Sequence, residues 1–169
     1  LIANVNDLID ANLSMIKGPA QSGQARKAIE GDSAEMDTLI KALVKEYKGI
    51  NSIFVLNSQG IAVSGASSQG ESFIGNNYGD RAYFKPIMQG KDVIDPNIIV
   101  AKTTKKEILV IGTPVLGENG KPIGAFCVTI NWLEYIKNHI LNITFAEHGY
   151  AFIIDANGRF IAHPNPDLH

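Results

Sequence analysis

The chain has 169 residues, 45% apolar and 19% charged, with a formal charge of -2, the totals of an ordinary soluble globular protein with one full domain or one and part of another. That balance excludes an electrostatic case for nucleic acid or for an anionic membrane surface. The single cysteine, Cys127, excludes an internal disulfide and a cysteine-cage zinc site.

No stretch reaches the ~20 apolar residues of a membrane span, no secretory signal is legible, and the chain starts without Met inside a helical pattern. It is read as a piece of a larger protein. Leu1, Ile2, Val5, Leu8, Ile9, Leu13 and Ile16 recur at three- and four-residue steps and predict an amphipathic helix. Gly18-Pro19 interrupts it, 21–23 is a kink or short loop, and the pattern resumes over 24–29 before pausing at Gly31. Asp32 or Ser33 then caps a helix whose stripe (Met36, Leu39, Ile40, Leu43, Val44, Tyr47) should cover a sheet or another helix. Ile53-Phe54-Val55-Leu56, the turn Asn57-Ser58-Gln59-Gly60 and the return Ile61-Ala62-Val63-Ser64 predict a hairpin. The polar stretch 65–79 follows as a loop anchored by Phe73 and Ile74, and loops of that length carry function or move.

Arg81 then stands beside Tyr78, Tyr83 and Phe84 where the loop turns into a helix. Pro86 belongs in a first helical turn, so the helix is expected to start near Ala82 or Tyr83 and to run to about Gln89, with Gly90 as its stop. A guanidinium beside free helix N–H groups favours an anion. The alternative from the residues alone is that Arg81 pairs with Asp80 or another carboxylate and that the rings are core. Strands are expected over 92–95, 98–101, 107–115 and 121–130, with a bend at Asp95-Pro96-Asn97 and a turn at Glu118-Asn119-Gly120. Pro114 argues for an edge position or a bulge. Cys127 lies in an apolar run and reads as a small buried hydrophobe. Trp132, Leu133, Ile136, Ile140 and Ile143 make the next segment an amphipathic helix.

Phe152-Ile153-Ile154-Asp155-Ala156-Asn157-Gly158-Arg159-Phe160-Ile161 repeats the shape of the first hairpin at an offset of roughly one hundred residues, which implies two similar units in tandem. The second unit stops after its opening hairpin, and a lone hairpin is marginal in water, so the tail must pack on something or stay loose. His139, His148, His163 and His169 show no metal-ligand spacing and read as solvated surface. The turn at Asp155 lacks the distal carboxylate of a calcium loop, no phosphate loop or nucleophile elbow is present, and Asp92 with Asp95 makes a poor carboxylate dyad. No catalytic set, metal site or cofactor is legible, and an enzyme is not expected.

Three groups of residues carry a resemblance: Asp80-Arg81-Ala82-Tyr83-Phe84; Gly90-Lys91 with Ile94-Asp95-Pro96; and Gly149-Tyr150-Ala151-Phe152 running to Ala162-His163-Pro164. In this order and at these intervals, with the segments around them, nearly the whole chain resembles the extracytoplasmic double-Cache sensor region of bacterial transmembrane receptors, methyl-accepting chemotaxis receptors above all. The resemblance implies an α+β fold. A long N-terminal helical stalk (1–48) leads to a membrane-distal PAS-like ligand-binding domain with a central antiparallel sheet (49–146). The opening hairpin of a membrane-proximal PAS-like domain follows (147–169). It also implies a periplasmic location at the cell inner membrane, flanking spans outside this chain and a homodimer through the N-terminal helices. The output module would be that of a chemoreceptor, or alternatively a histidine kinase or diguanylate cyclase. A structural or dimerisation module with an unused pocket is a further alternative.

Family ligands bind between one sheet face and the loop–helix segment, so the resemblance makes Arg81, Tyr83 and Phe84 ligand-binding. Tyr78, Asn97, Thr113 and Thr129 are expected to orient the ligand. The amino-acid-sensing branch places a Tyr and two Asp residues where this chain has Asn97, Ile99 and Thr129. Without those carboxylates a buried ammonium has no anionic partner. A small carboxylate or other anion is therefore favoured over an ordinary α-amino acid.

Overall fold

The computed structural model describes residues 2–95, 97–102, 104–139, 144–145, 149–150, 152–154, 160–163 and 165. Helix α1, Ile2–Ala20, continues past Gly18 and holds Pro19 in its last turn, giving up one ladder bond just before the helix ends. Ser22 caps α2, Gly23–Glu30, by accepting from the Ala25 N–H, and Gly31 closes it in the left-handed conformation. In α3, Ala34–Glu46, Ser33 stands at the cap position but turns its hydroxyl to Asp37 (2.9 Å). Asp37 in turn accepts from the Ser64 hydroxyl (2.5 Å) and the Gly65 N–H, which ties the helix to the sheet.

The hairpin is longer than its apolar run: β1 is Ile50–Asn57 and β2 is Ala62–Ser67. After a loop comes α4, Phe84–Met88, then β3, Val93–Ile94, β4, Ile99–Val100, β5, Glu107–Leu116, β6, Pro122–Asn131, and α5, Trp132–His139. The main sheet is antiparallel in the order β2-β1-β6-β5-β3, with β4 also pairing β5. Two smaller antiparallel pairs follow: β7, Thr144–Phe145, with β8, Gly149–Tyr150, and β9, Ile153–Ile154, with β10, Phe160–Ala162. The second pair is the expected tail hairpin; its turn, 155–159, lies outside the described residues, as do Pro96, Thr103, Ile140, Ile143, His148, Pro164 and His169.

Strand alternation divides the sheet into two cores. Ile53, Val55, Leu109, Ile111, Phe126 and Val128 face Ile16, Ala20, Met36 and Ile40 of the helices. Phe54, Leu56, Val110, Ala125 and Cys127 face Ile87 of α4 and the rings of Phe73 and Tyr78 from the loop. Helix α4 lies close to the sheet because Gly112 has no side chain there; a Cβ would meet the Ile87 Cδ1 at 2.5 Å.

Several expectations need correction. Pro114 is the exception, since β5 is an inner strand but is open beyond Gly112 on the side away from β6, and its register breaks between Val115 and Leu116, the bulge or edge that the proline called for. The Pro114 carbonyl there accepts from Gln21 Nε2 (2.8 Å), and no ladder N–H is missed. Ile74 is half exposed, so of the two expected anchors only Phe73 is buried, edge-on to Phe54 at 5.6 Å, and Tyr78 joins it. Trp132 and Ile136 are buried in α5, whereas Leu133 is exposed. His163 is buried, not solvated: the rings of Tyr150, Phe152 and Phe160 surround it, and its Nδ1 accepts from the Asn165 N–H at 2.9 Å. Among the described residues no helix is long and apolar enough to cross a membrane.

Candidate functional site

Helix α4 has only five residues, and Arg81 precedes it by three. The Arg81 N–H donates to the Tyr78 carbonyl, and the Phe84 N–H donates to the Arg81 carbonyl, both at 3.0 Å. Arg81 is therefore held by a turn and not by a helix entrance, so the expected corner of free helix N–H groups is not built. The shortening follows from Pro86, which fixes the first turn, and from Gly90, whose left-handed backbone and bond to the Ile87 carbonyl end the helix at once.

The turn carries Arg81 over the sheet face that the helices leave open. There a cavity of about 30 Å³, room for one or two waters, lies between sheet and loop. Tyr78, Arg81 and Tyr83 form its roof, Phe54 and Phe73 one wall, Ile99, Ala101 and Ile108 another, and Asn51, Ser52 and Thr129 its polar corner. The roof is pinned by the first hairpin: the Tyr78 N–H donates to the Gly60 carbonyl at 2.7 Å, and Tyr78 stacks on Phe54 at 5.4 Å. Gly60 sits at φ 78, and a Cβ there would collide with the Gly79 backbone, so only glycine permits this approach.

Two cations line the cavity, and they differ in occupation. Lys102 Nζ binds Asp80 at 2.7 Å and the Asn77 carbonyl at 2.8 Å, and lies over the Tyr78 ring. The Lys102 hydrogen bond is the main reason why the exposed Asp80 carboxyl sits below its usual range. Arg81 is half-buried and has no ion-pair partner among the described residues. No carboxylate, histidine or cysteine stands among the described residues lining the cavity. Burial drives the Tyr83 phenol well above its usual range, with nearby Cys127 adding to the shift and the Arg81 charge opposing it; the ring stays neutral. Cys127 is fully buried and its thiol is pushed up by the same cause.

Of the seven residues expected from sequence, Tyr78, Arg81, Tyr83 and Thr129 come together in this lining. Phe84 does not: adjacent to Tyr83, it points into the core beside α4. Thr113 faces the helices, because it shares the parity of Leu109 and Ile111 on β5, and its hydroxyl donates to Asp92 at 2.6 Å. Asn97 is an exposed turn residue whose N–H and Nδ2 both donate to Asp95. Ile99, at one of the two positions where the amino-acid branch has Asp, does line the cavity.

Sequence reasoning missed Asn51, Ser52 and Lys102. The polar pair Asn51-Ser52 ahead of an apolar strand was a weak signal; its orientation was not legible. Ile50 pairs with Ile130 and Ser52 with Thr129, so Asn51 is an extra residue in β1, a bulge that turns its side chain into the cavity. Asn51 Nδ2 then donates to Thr129 Oγ1 at 3.2 Å, and the Ser52 and Thr129 hydroxyls lie 2.7 Å apart.

The family model described as Cache domain matches residues 1–169. The methyl-accepting chemotaxis protein PscA of Pseudomonas syringae pv. tomato is 28% identical over 88 residues, a match spanning 52% of this chain and 14% of that protein. The ligand-binding domain of the Pseudomonas fluorescens chemoreceptor CtaA, solved with L-serine, superposes with a TM-score of 0.70 at 18% identity, covering 98% of this chain and 68% of that one. The sensor domain of E. coli DcuS gives 0.63 at 18% identity, covering 79% of this chain and 94% of its own.

Proposed function

Because the chain belongs to the Cache domain family, whose sensor modules bind small ligands, we propose that its cavity takes a small carboxylate and that the chain is the extracytoplasmic sensing part of a transmembrane chemoreceptor. The observation that carries the ligand class is Arg81, a half-buried guanidinium on the cavity with no anionic partner among the described residues. A carboxylate supplies that partner through two parallel, charge-assisted bonds, with Tyr78, Tyr83 and Thr129 around it. The CtaA domain was solved with an amino acid. The preference for a ligand without an ammonium rests on this chain's own lining, where Ile99 and Thr129 supply no negative charge.

The proposed division is a helical stalk over 1–48, the ligand-binding unit over 49–146 and the start of a second unit over 147–169. In the periplasm, ligand would draw the 65–79 loop and the Arg81 turn onto the sheet. That movement would change how α1 packs against its copy in a homodimer, and flanking spans would carry the change inward. The shift is limited to the ligand's difference in affinity between the two states, about 1–3 kcal/mol. A histidine kinase or diguanylate cyclase output fits the same sensor and is decided by sequence beyond this chain.

Thermal-shift and calorimetric titration with small carboxylates, matched amines and nucleobases test the reading. The expected result is stabilisation by short carboxylates, weakened about a hundredfold by Arg81→Ala, the loss of one charge-assisted pair. Silence across the panel, with Arg81→Ala changing nothing, would instead favour a structural module, the reading that the small cavity of about 30 Å³ supports.

A further inference from the structure

The polar corner of the cavity has an imbalance of donors and acceptors. Asn51 is 2% exposed, and its Oδ1 is buried without any hydrogen-bond partner. Buried side-chain acceptors in native proteins are nearly always satisfied, so an orphan on a residue that lines the cavity points to a donor that arrives with the ligand. The neighbours do not provide one. Asn51 Nδ2 is bonded to Thr129 Oγ1. The Ser52 and Thr129 hydroxyls share one short bond of 2.7 Å, in which either can donate, and neither reaches Asn51 Oδ1. The group left open in this corner is therefore an acceptor, Asn51 Oδ1.

We infer that Asn51, Ser52 and Thr129 form a hydroxyl-recognition subsite and that the ligand is a short hydroxycarboxylate, its carboxylate on Arg81 and its hydroxyl donating to Asn51 Oδ1. The inference rests on the carboxylate reading above and narrows it. An ammonium would also donate, but it brings a full positive charge into a cavity already lined by Arg81 and Lys102, with only neutral acceptors to receive it. A hydroxyl needs one neutral acceptor, which is what the bulge at Asn51 presents. The volume of about 30 Å³ holds only one or two waters, so a short acid enters as the loop yields, and a longer one needs a larger movement.

Lactate, propionate and alanine share a carboxylate and a three-carbon frame and differ in carrying a hydroxyl, a hydrogen or an ammonium. Calorimetric titration of the intact chain with the three is expected to rank lactate about tenfold tighter than propionate, the effect of one net hydrogen bond to a buried neutral acceptor, with alanine weakest. Asn51→Leu should bring the lactate-to-propionate ratio close to one, and Asn51→Asp should raise alanine binding by supplying the missing charge. Should Asn51→Leu not fold, Ser52→Ala is expected to reduce the same ratio. Lactate and propionate binding within about twofold of each other, both lost in Arg81→Ala, would overturn the hydroxyl subsite and leave the carboxylate reading standing. Alanine matching lactate in the unaltered chain would overturn the subsite as well. No binding by any of the three, and none by other short acids, would remove the carboxylate reading on which it rests.

Discussion

One sheet carries two unlike covers. On one side α1, α2 and α3 lie across it with α5 joining them, and the shared layer is a continuous apolar core from Ile16 through Met36 and Ile40 to Phe126, Val128 and Ile136. On the other lie a five-residue helix, a loop and the segment around Ile99 and Ala101, and the layer beneath mixes rings, small residues and three buried polar side chains. Long helices close a face; a short helix and a loop pinned at Gly60 and Phe73 leave room for a guest. The comparison suggests a division of labour in which the helical face supplies folding stability and the loop face supplies recognition.

The sharpest way to break that division is Phe126→Ala. Phe126 is completely buried on the helical face, and its removal should lower unfolding free energy by about 3–5 kcal/mol in a urea titration, with carboxylate affinity of the folded protein unchanged. A cost below about 1 kcal/mol would mean that this face is not the stabilising one. Gly60→Ala tests the loop's anchor. Strain at φ 78 and the collision with Gly79 should together cost about 1–3 kcal/mol, and ligand affinity should fall with it because the Tyr78–Arg81 roof is displaced. Unchanged affinity would separate the hairpin from the site.

The smallest effect concerns the link between α1 and the loop-side edge. Lys17 Nζ binds Asp92 at 2.7 Å while Thr113 holds the same carboxylate. Burial raises the Asp92 carboxyl, but the bonds from Lys17 and Thr113 and the Lys17 charge outweigh it, and the group ends below its ordinary range. A depressed folded-state value stabilises above the unfolded-state range and is lost as pH falls through the folded value. Asp92→Asn should therefore cost at most about 0.5 kcal/mol near neutrality, a value kept small by exposure of the pair. The gap from the unaltered chain, followed by thermal melts, should close on acidification through the carboxylate range. A gap that widens in acid would put the coupling elsewhere.

Much of the fold was legible because its signals are local. The stripe through Met36, Leu39, Ile40 and Leu43 predicted α3, and the apolar runs around Ile53 and Ile123 predicted the central strands. The site was legible in part. Arg81, Tyr83 and Tyr78 lie close together in sequence and share one loop, whereas Thr113 and Thr129 looked equivalent until strand pairing set their faces. His163 read as surface because the rings that enclose it come from β8, β10 and Phe152.

The sequence by itself determined most of the elements and the presence of a cation among rings after a polar loop, since periodicity and turn chemistry act between near neighbours. Only the tertiary structure decided that Asp80 goes to Lys102, leaving Arg81 with no ion-pair partner among the described residues, and that a single extra residue in β1 swings Asn51 into the cavity. Both outcomes depend on contacts between residues far apart in the chain. An ion pair takes whichever partner the fold brings within reach, and a strand's register is set by its neighbour.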